Sequence, residues 1–158
     1  MKLFFRMFVF VLLLPILGTS QNVSKNDLFV GLNTNLNNSR LVDIYLSPLV
    51  GYMINDNLMV SGSAIFNSSN GSKYSWVSLG LRYYNTKINI KPSVNTFLEL
   101  SGGKSTNEYD NYWGFGLGVS AFLTKHIYLE PKLYLQSTYL NTDNYLSTGL
   151  QLGAGIKF

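Results

Sequence analysis

The chain has 158 residues, with 12 Lys and Arg against 8 Asp and Glu, no cysteine, and a mean hydropathy of +0.10. Without cysteine there is no disulfide framework, no thiolate metal site and no thiol-borne lipid anchor. Charged residues make up 13%, about half the roughly 25% of an ordinary soluble domain, yet the hydropathy is too low for a bundle of membrane helices, and no dense basic cluster marks a nucleic-acid surface.

Residues 1–20 have the layout of a secretory signal. Lys2 and Arg6 supply a positive start, Met7 to Leu17 is apolar apart from Pro15, and Gly18, Thr19 and Ser20 are small residues ahead of a cut at Gln21. The apolar run is shorter than the ~20 residues of a spanning helix. The expected organisation is therefore a removed segment, 1–20, followed by one domain, 21–158. Loss of Lys2 and Arg6 leaves ten basic and eight acidic residues, a net charge near +2.

Eight alternating stretches follow a short polar leader. Side chains alternate faces along a strand, so an apolar residue at every second position marks a strand with one apolar face. The first stretch, about 27–36, sets Leu28, Val30 and Leu32 against Phe29, Gly31 and Asn33. The second, about 41–54, sets Val42, Ile44, Leu46, Pro48, Val50 and Tyr52 against Asp43, Ser47, Gly51 and Met53. The third, about 57–67, sets Leu58 and Val60 against Met59 and Ser61, and the fourth, about 73–85, sets Val77, Leu79, Leu81 and Tyr83 against Trp76, Ser78, Gly80, Arg82 and Tyr84. The fifth, about 94–104, is less regular, with Val94, Leu98 and Leu100 opposed to Phe97, Glu99, Ser101 and Gly103. The sixth, about 111–124, alternates Trp113, Phe115, Leu117, Val119 and Ala121 with Tyr112, Gly114, Gly116, Gly118 and Ser120. The seventh, about 126–140, alternates Ile127, Leu129, Pro131, Leu133 and Leu135 with Tyr128, Glu130, Lys132, Tyr134 and Gln136. The last fifteen residues, Asn144 to Phe158, give the longest stretch: Leu146, Leu150, Leu152, Ala154, Ile156 and Phe158 on one face, Gly149, Gly153, Gly155 and Lys157 on the other.

Tight polar turns at 55–57 and 124–126 and a longer one at 86–93 alternate with looser loops rich in Asn, Ser, Thr and Gly. Pro48 and Pro131 lie inside strands, where each removes a ladder donor, so bulges or local irregularity are expected there. The second face carries ten glycines among its positions. A water-facing sheet surface made largely of glycine is a poor soluble design, whereas a narrow lumen of about eight strands has room only for small side chains. The Leu, Val and Ile set is therefore expected to face lipid, and closure into a barrel follows because hydrocarbon tolerates no unpaired strand edge. The expected fold class is all-β: an eight-stranded, antiparallel, up-and-down transmembrane β-barrel.

With its signal segment, its eight stretches, the turn Gly51 to Leu58 and the terminal run Gly153 to Phe158, the chain resembles the small eight-stranded outer-membrane proteins of Gram-negative bacteria, the OmpA transmembrane domain and OmpX-like group. The resemblance covers nearly all of 27–158. It implies an outer-membrane location, contact with membrane lipid and lipopolysaccharide, and assembly as a monomer by the barrel-assembly machinery, with Phe158 as the C-terminal assembly signal. The resemblance is to the barrel alone and not to a peptidoglycan-binding domain, so tethering to the cell wall is not among its expectations.

Four inward positions carry charge in one half of the barrel: Arg82, Glu99, Glu130 and Lys132. An unpaired charge in a narrow lumen is costly, so these residues are expected to pair across it as a luminal charge network. The network reads either as a static polar core or as a gate against ion flow. Asp43 has no evident partner, and Lys157 is expected to reach water. Acyl-transfer or hydrolytic chemistry needs a nucleophile beside a base. The single histidine, His126, falls in a turn on the side opposite to that used by eight-stranded lipid A-modifying enzymes, so no enzyme is expected. Glu108 and Asp110 share a loop without a recognised metal spacing, and no cofactor is expected. Trp76, Trp113, Tyr74, Tyr109, Tyr112, Tyr139 and Tyr145 at the loop ends, and Tyr52, Tyr83, Tyr128 and Phe158 at the turn ends, are expected to form interfacial girdles. The leading reading is a non-enzymatic structural or surface-interaction protein with a plugged lumen and the loops as the place for an extracellular partner. A narrow pore for ions or small solutes and a lipid A-modifying enzyme stand behind it.

Overall fold

The computed structural model describes residues 23–35, 46–69, 72–85, 93–106, 111–140 and 143–158. The expected signal segment lies outside them, as do Asp43, Glu108, Tyr109 and Asp110. Eight strands follow one another: β1 (Leu28–Asn35), β2 (Leu46–Met53), β3 (Leu58–Ser69), β4 (Ser72–Asn85), β5 (Val94–Ser105), β6 (Asn111–Phe122), β7 (Ile127–Leu140) and β8 (Asp143–Lys157). Each pairs antiparallel with the next, and β8 returns to β1, closing the barrel.

Alternation decides the faces. Leu79 is 70% exposed and Leu133 61%, while Arg82 and Phe97, in the opposite parity, are each 1% exposed. The outside is thus a belt of Leu, Val and aromatic side chains, and the inside holds the glycines, serines and charges. Register fixes the tilt. One circuit from Lys157 through Phe29, Gly51, Ser61, Gly80, Ser101, Gly114 and Gln136 returns to β8 at Ser147, ten residues from its start. A stagger of that size in eight strands tilts them by about 40° to the axis and leaves a lumen that side chains can fill.

Short side chains close the tight turns. In the turn after β2, Asn55 Oδ1 accepts from the backbone N–H groups of Asn57 and Leu58, both at 2.9 Å. In the turn after β6, Thr124 Oγ1 accepts from the N–H groups of His126 (3.2 Å) and Ile127 (3.0 Å). Both are side-chain mimics of a backbone turn.

Neither proline produces a bulge; the register runs through both. Each instead interrupts pairing toward one neighbour. Pro48 pairs with Leu32 of β1, but β2–β3 pairing starts only at Leu49. There the Ser47 hydroxyl donates to the Ala64 carbonyl at 3.1 Å. Pro131 pairs with Leu152 of β8, while the β6–β7 ladder lapses between Gly118–Lys132 and Ala121–Leu129.

The leader is part of the fold. Val23 is 2% exposed inside the turn end of the barrel. Asn26, at φ 72°, takes the left-handed conformation that Asn tolerates, and its N–H donates to the Met53 carbonyl at 3.0 Å. Asp27 Oδ2 accepts from Lys157 Nζ at 3.0 Å. Lys157 is only 8% exposed and stacks 5.3 Å from the Phe122 ring. It therefore does not simply reach water: strand parity turns it inward, and the leader supplies the carboxylate that makes burial tolerable.

Candidate functional site

The structure brings Arg82, Glu99, Glu130 and Lys132 into one luminal cluster. Arg82 and Glu99 are register partners on β4 and β5, so their side chains leave the wall side by side. Arg82 Nε and Nη2 both donate to Glu99 Oε2, at 2.9 and 2.6 Å. Arg82 Nη1 reaches across the lumen to Glu130 Oε1 of β7 at 2.5 Å and also meets the Tyr84 hydroxyl at 3.1 Å. Lys132 Nζ donates to the second Glu99 oxygen, and the Ser120 hydroxyl donates to Glu130 Oε1. Two cations and two anions thus balance at side chains only 2–12% exposed, which is the condition for retaining charge in a lumen.

An aromatic layer lies beneath the ions, toward the turns. Phe97 packs its ring 4.0 Å from the Arg82 guanidinium carbon. Tyr84 lies 5.6 Å from Phe97, Phe29 lies 5.4 Å from Tyr128, and Phe122 lies 6.0 Å from Tyr128. Met53, Met59 and Val23 complete this buried cluster. The layer was not read from the sequence as a unit, although all its strand residues lie on the inward parity. The signal that would have found it is complementarity between neighbours. Phe97 is the register partner of Gly118, and Tyr128 of Gly155. A Cβ on Gly118 would stand 2.8 Å from Phe97 Cε1, and one on Gly155 would stand 2.5 Å from the Tyr128 hydroxyl. Each large ring occupies the space a neighbouring glycine leaves.

Tyr128 is therefore not an interfacial residue, being 1% exposed inside the barrel. Trp76 and Tyr112 also turn inward and pack against each other at 5.6 Å. Their parity, shared with Ser78 and Gly114, overrides the amphipathic preference of the rings. The exposed rings among the described side chains are Trp113, Tyr139 and Tyr145 at the loop end, Phe115 within β6, and Tyr52 and Tyr83 at the turn end, with Phe158 66% exposed beside them. The side chain of Tyr74 lies outside the described set. His126 sits in the turn after β6, with Nδ1 2.9 Å from the Lys157 carbonyl.

On the loop side of the ions the lumen widens into a cavity of about 260 Å³, floored by Glu99 and Lys132 and walled by serine, asparagine, glutamine and aromatic side chains.

A closed eight-stranded barrel, apolar outside and polar inside, defines the architectural class of small transmembrane β-barrels. The chain is similar to the N-terminal β-barrel domain of OprF from Pseudomonas aeruginosa, at 14% identity over 85% of this chain and 98% of that one, with a TM-score of 0.58. It is also similar to a transmembrane β-barrel designed de novo, at 13% identity over 89% of this chain and all of the designed one, with a TM-score of 0.60. At these identities the likeness is one of fold. No protein-family model matches the chain, and no curated protein matches it.

Proposed function

We propose that the protein is a monomeric barrel of the bacterial outer membrane, exported by its 1–20 segment, in which a plugged lumen serves a non-enzymatic structural or surface-interaction role. The observation that carries this reading is Arg82 bonded to both Glu99 and Glu130 directly above the aromatic layer. An ion crossing the lumen would have to displace both layers. The apolar exterior supports immersion in lipid and contact with lipopolysaccharide, and the fold shared with a designed transmembrane β-barrel agrees with it. Phe158, at the end of the alternating β8 run, suits recognition by the barrel-assembly machinery. The loops remain the place for an extracellular partner.

The cavity above the ions favours a second reading, a narrow pore in which the same cluster acts as a gate. Single-channel recording of refolded 21–158 in a planar bilayer separates the two. The plugged reading predicts a silent wild type and a silent Lys132→Ala variant, because the aromatic layer still closes the lumen. Stable discrete openings of the wild type would overturn it, and openings altered by Lys132→Ala would place the cluster in the ion path.

A further inference from the structure

The loop-side cavity has a chemistry that the plugged-lumen reading does not use. Around one hydrogen-bonded layer of the wall, Ser61, Gly80, Ser101, Gly114 and Gln136 are successive register partners. Hydroxyl and amide groups therefore alternate with glycine. A Cβ on Gly80 would stand 2.6 Å from Ser61 Oγ, and one on Gly114 would stand 3.2 Å from Ser101 Oγ. The glycines thus leave the polar heads room to face the cavity. Asn33 and Gln151 line another part of the wall, and Trp76 offers an aromatic surface. Among the described residues, the charges on the lining are Glu99 and Lys132, of opposite sign and bonded to each other.

That composition selects a ligand. The described lining carries no net charge, so it offers a phosphate, a metal ion or a free carboxylate no counter-charge. Serine, asparagine and glutamine both donate and accept, as the hydroxyls of a polyol do, and an indole offers an apolar surface to the C–H groups of a sugar ring. The volume is below the ~300–1,000 Å³ of pockets for drug-sized ligands, which suits one ring and not a chain of them. We infer that the cavity between the ion cluster and the loops binds a neutral monosaccharide-sized polyol. The inference goes beyond the plugged lumen and does not require it, since a gated lumen would carry the same wall.

The chain has two tryptophans. Trp113 is exposed on the outer face and Trp76 lines the cavity, so Trp113→Phe leaves a single reporter in the site. The experiment titrates refolded Trp113→Phe 21–158, in a detergent without a sugar headgroup, with glucose, glycine and phosphate. Expected is a saturable change of Trp76 emission with glucose, none with glycine or phosphate, and a midpoint raised at least ~10-fold by Ser101→Val or Gln136→Leu, each a loss of a polar partner. Heat-modifiable gel mobility confirms that each variant is folded. A flat or non-saturating glucose response from the folded reporter protein, equal responses to all three solutes, or a response indifferent to both folded cavity variants would overturn the assignment. If either cavity variant fails to fold, competition between glucose and a second polyol, glycerol, in the reporter protein supplies the test: a rightward shift of the glucose midpoint supports a shared site, and no shift overturns it.

Discussion

At Arg82 a guanidinium 1% exposed to solvent is held by two carboxylates, a phenol and the face of a phenyl ring. Removing one partner strands the others, so Arg82→Met should cost about 3–5 kcal/mol in reversible urea unfolding from lipid vesicles. Neutralising the whole cluster (Arg82→Met, Glu99→Gln, Glu130→Gln and Lys132→Met together) should recover most of that loss, because no charge is then left unpaired. Equal stability of the single and the fourfold variant would refute the coupling. The glycine sockets make a second test. Gly118→Val should drive its side chain into the Phe97 ring and lower refolding yield, and adding Phe97→Ala should restore part of it, read by heat-modifiable mobility. The four charged residues were legible in the sequence because inward parity and balanced sign sufficed to find them. The roles of Tyr84, Ser120 and Phe97 beside them were not. They depend on which positions of different strands stand opposite each other, and that register is set by turn lengths and stagger across the whole sheet.

Among the elements, all eight strands follow from alternation alone, since a lipid-facing strand leaves no latitude in its parity. The leader escaped that logic because it is neither strand nor periodic. Its order comes from contacts distant in sequence: Lys25 N–H donates to Asp56 Oδ1 at 2.8 Å, Tyr52 hydroxyl donates to Asn26 Oδ1 at 2.9 Å, and Asp27 meets Lys157. Asp27→Ala should therefore weaken the turn end more than a surface substitution would, since it removes the carboxylate that ties the leader to the largely buried Lys157 ammonium. Hydrogen exchange should then speed up at the N–H groups of Met53 and Phe158 and leave those of mid-barrel residues such as Leu100 unchanged. Uniform exchange across the barrel would argue that the leader contributes no local order. The prolines teach the complementary lesson. Of the bulge or local irregularity expected at each, only the irregularity is found: the ladder lapses on one side of each proline while the register holds, and beside Pro48 the Ser47 hydroxyl donates to the Ala64 carbonyl.

For the molecule as a whole, the outward face decides whether the barrel enters a bilayer. Leu117, 51% exposed on β6, and Gln136, on the cavity wall, carry the contrast. Leu117→Arg should impair assembly far more than Gln136→Arg, because a cation on the lipid face near the midplane costs about 2–4 kcal/mol. Similar folded fractions for the two variants in vesicles would count against the assignment of faces. Closure has a consequence of its own. Leu28 and Phe158 exchange backbone hydrogen bonds at 3.2 and 2.9 Å, so the first strand and the last meet as neighbours do anywhere else in the wall. In terms of connectivity, the barrel is a ring cut at one seam. A short peptide bridging Phe158 to Val23, with new chain ends opened at 107–110, should yield, on refolding into vesicles without the assembly machinery, a circular permutant with the same eight-stranded wall. In that permutant, the pairing of β1 with β8 would be a local hairpin instead of the longest-range contact the chain must find.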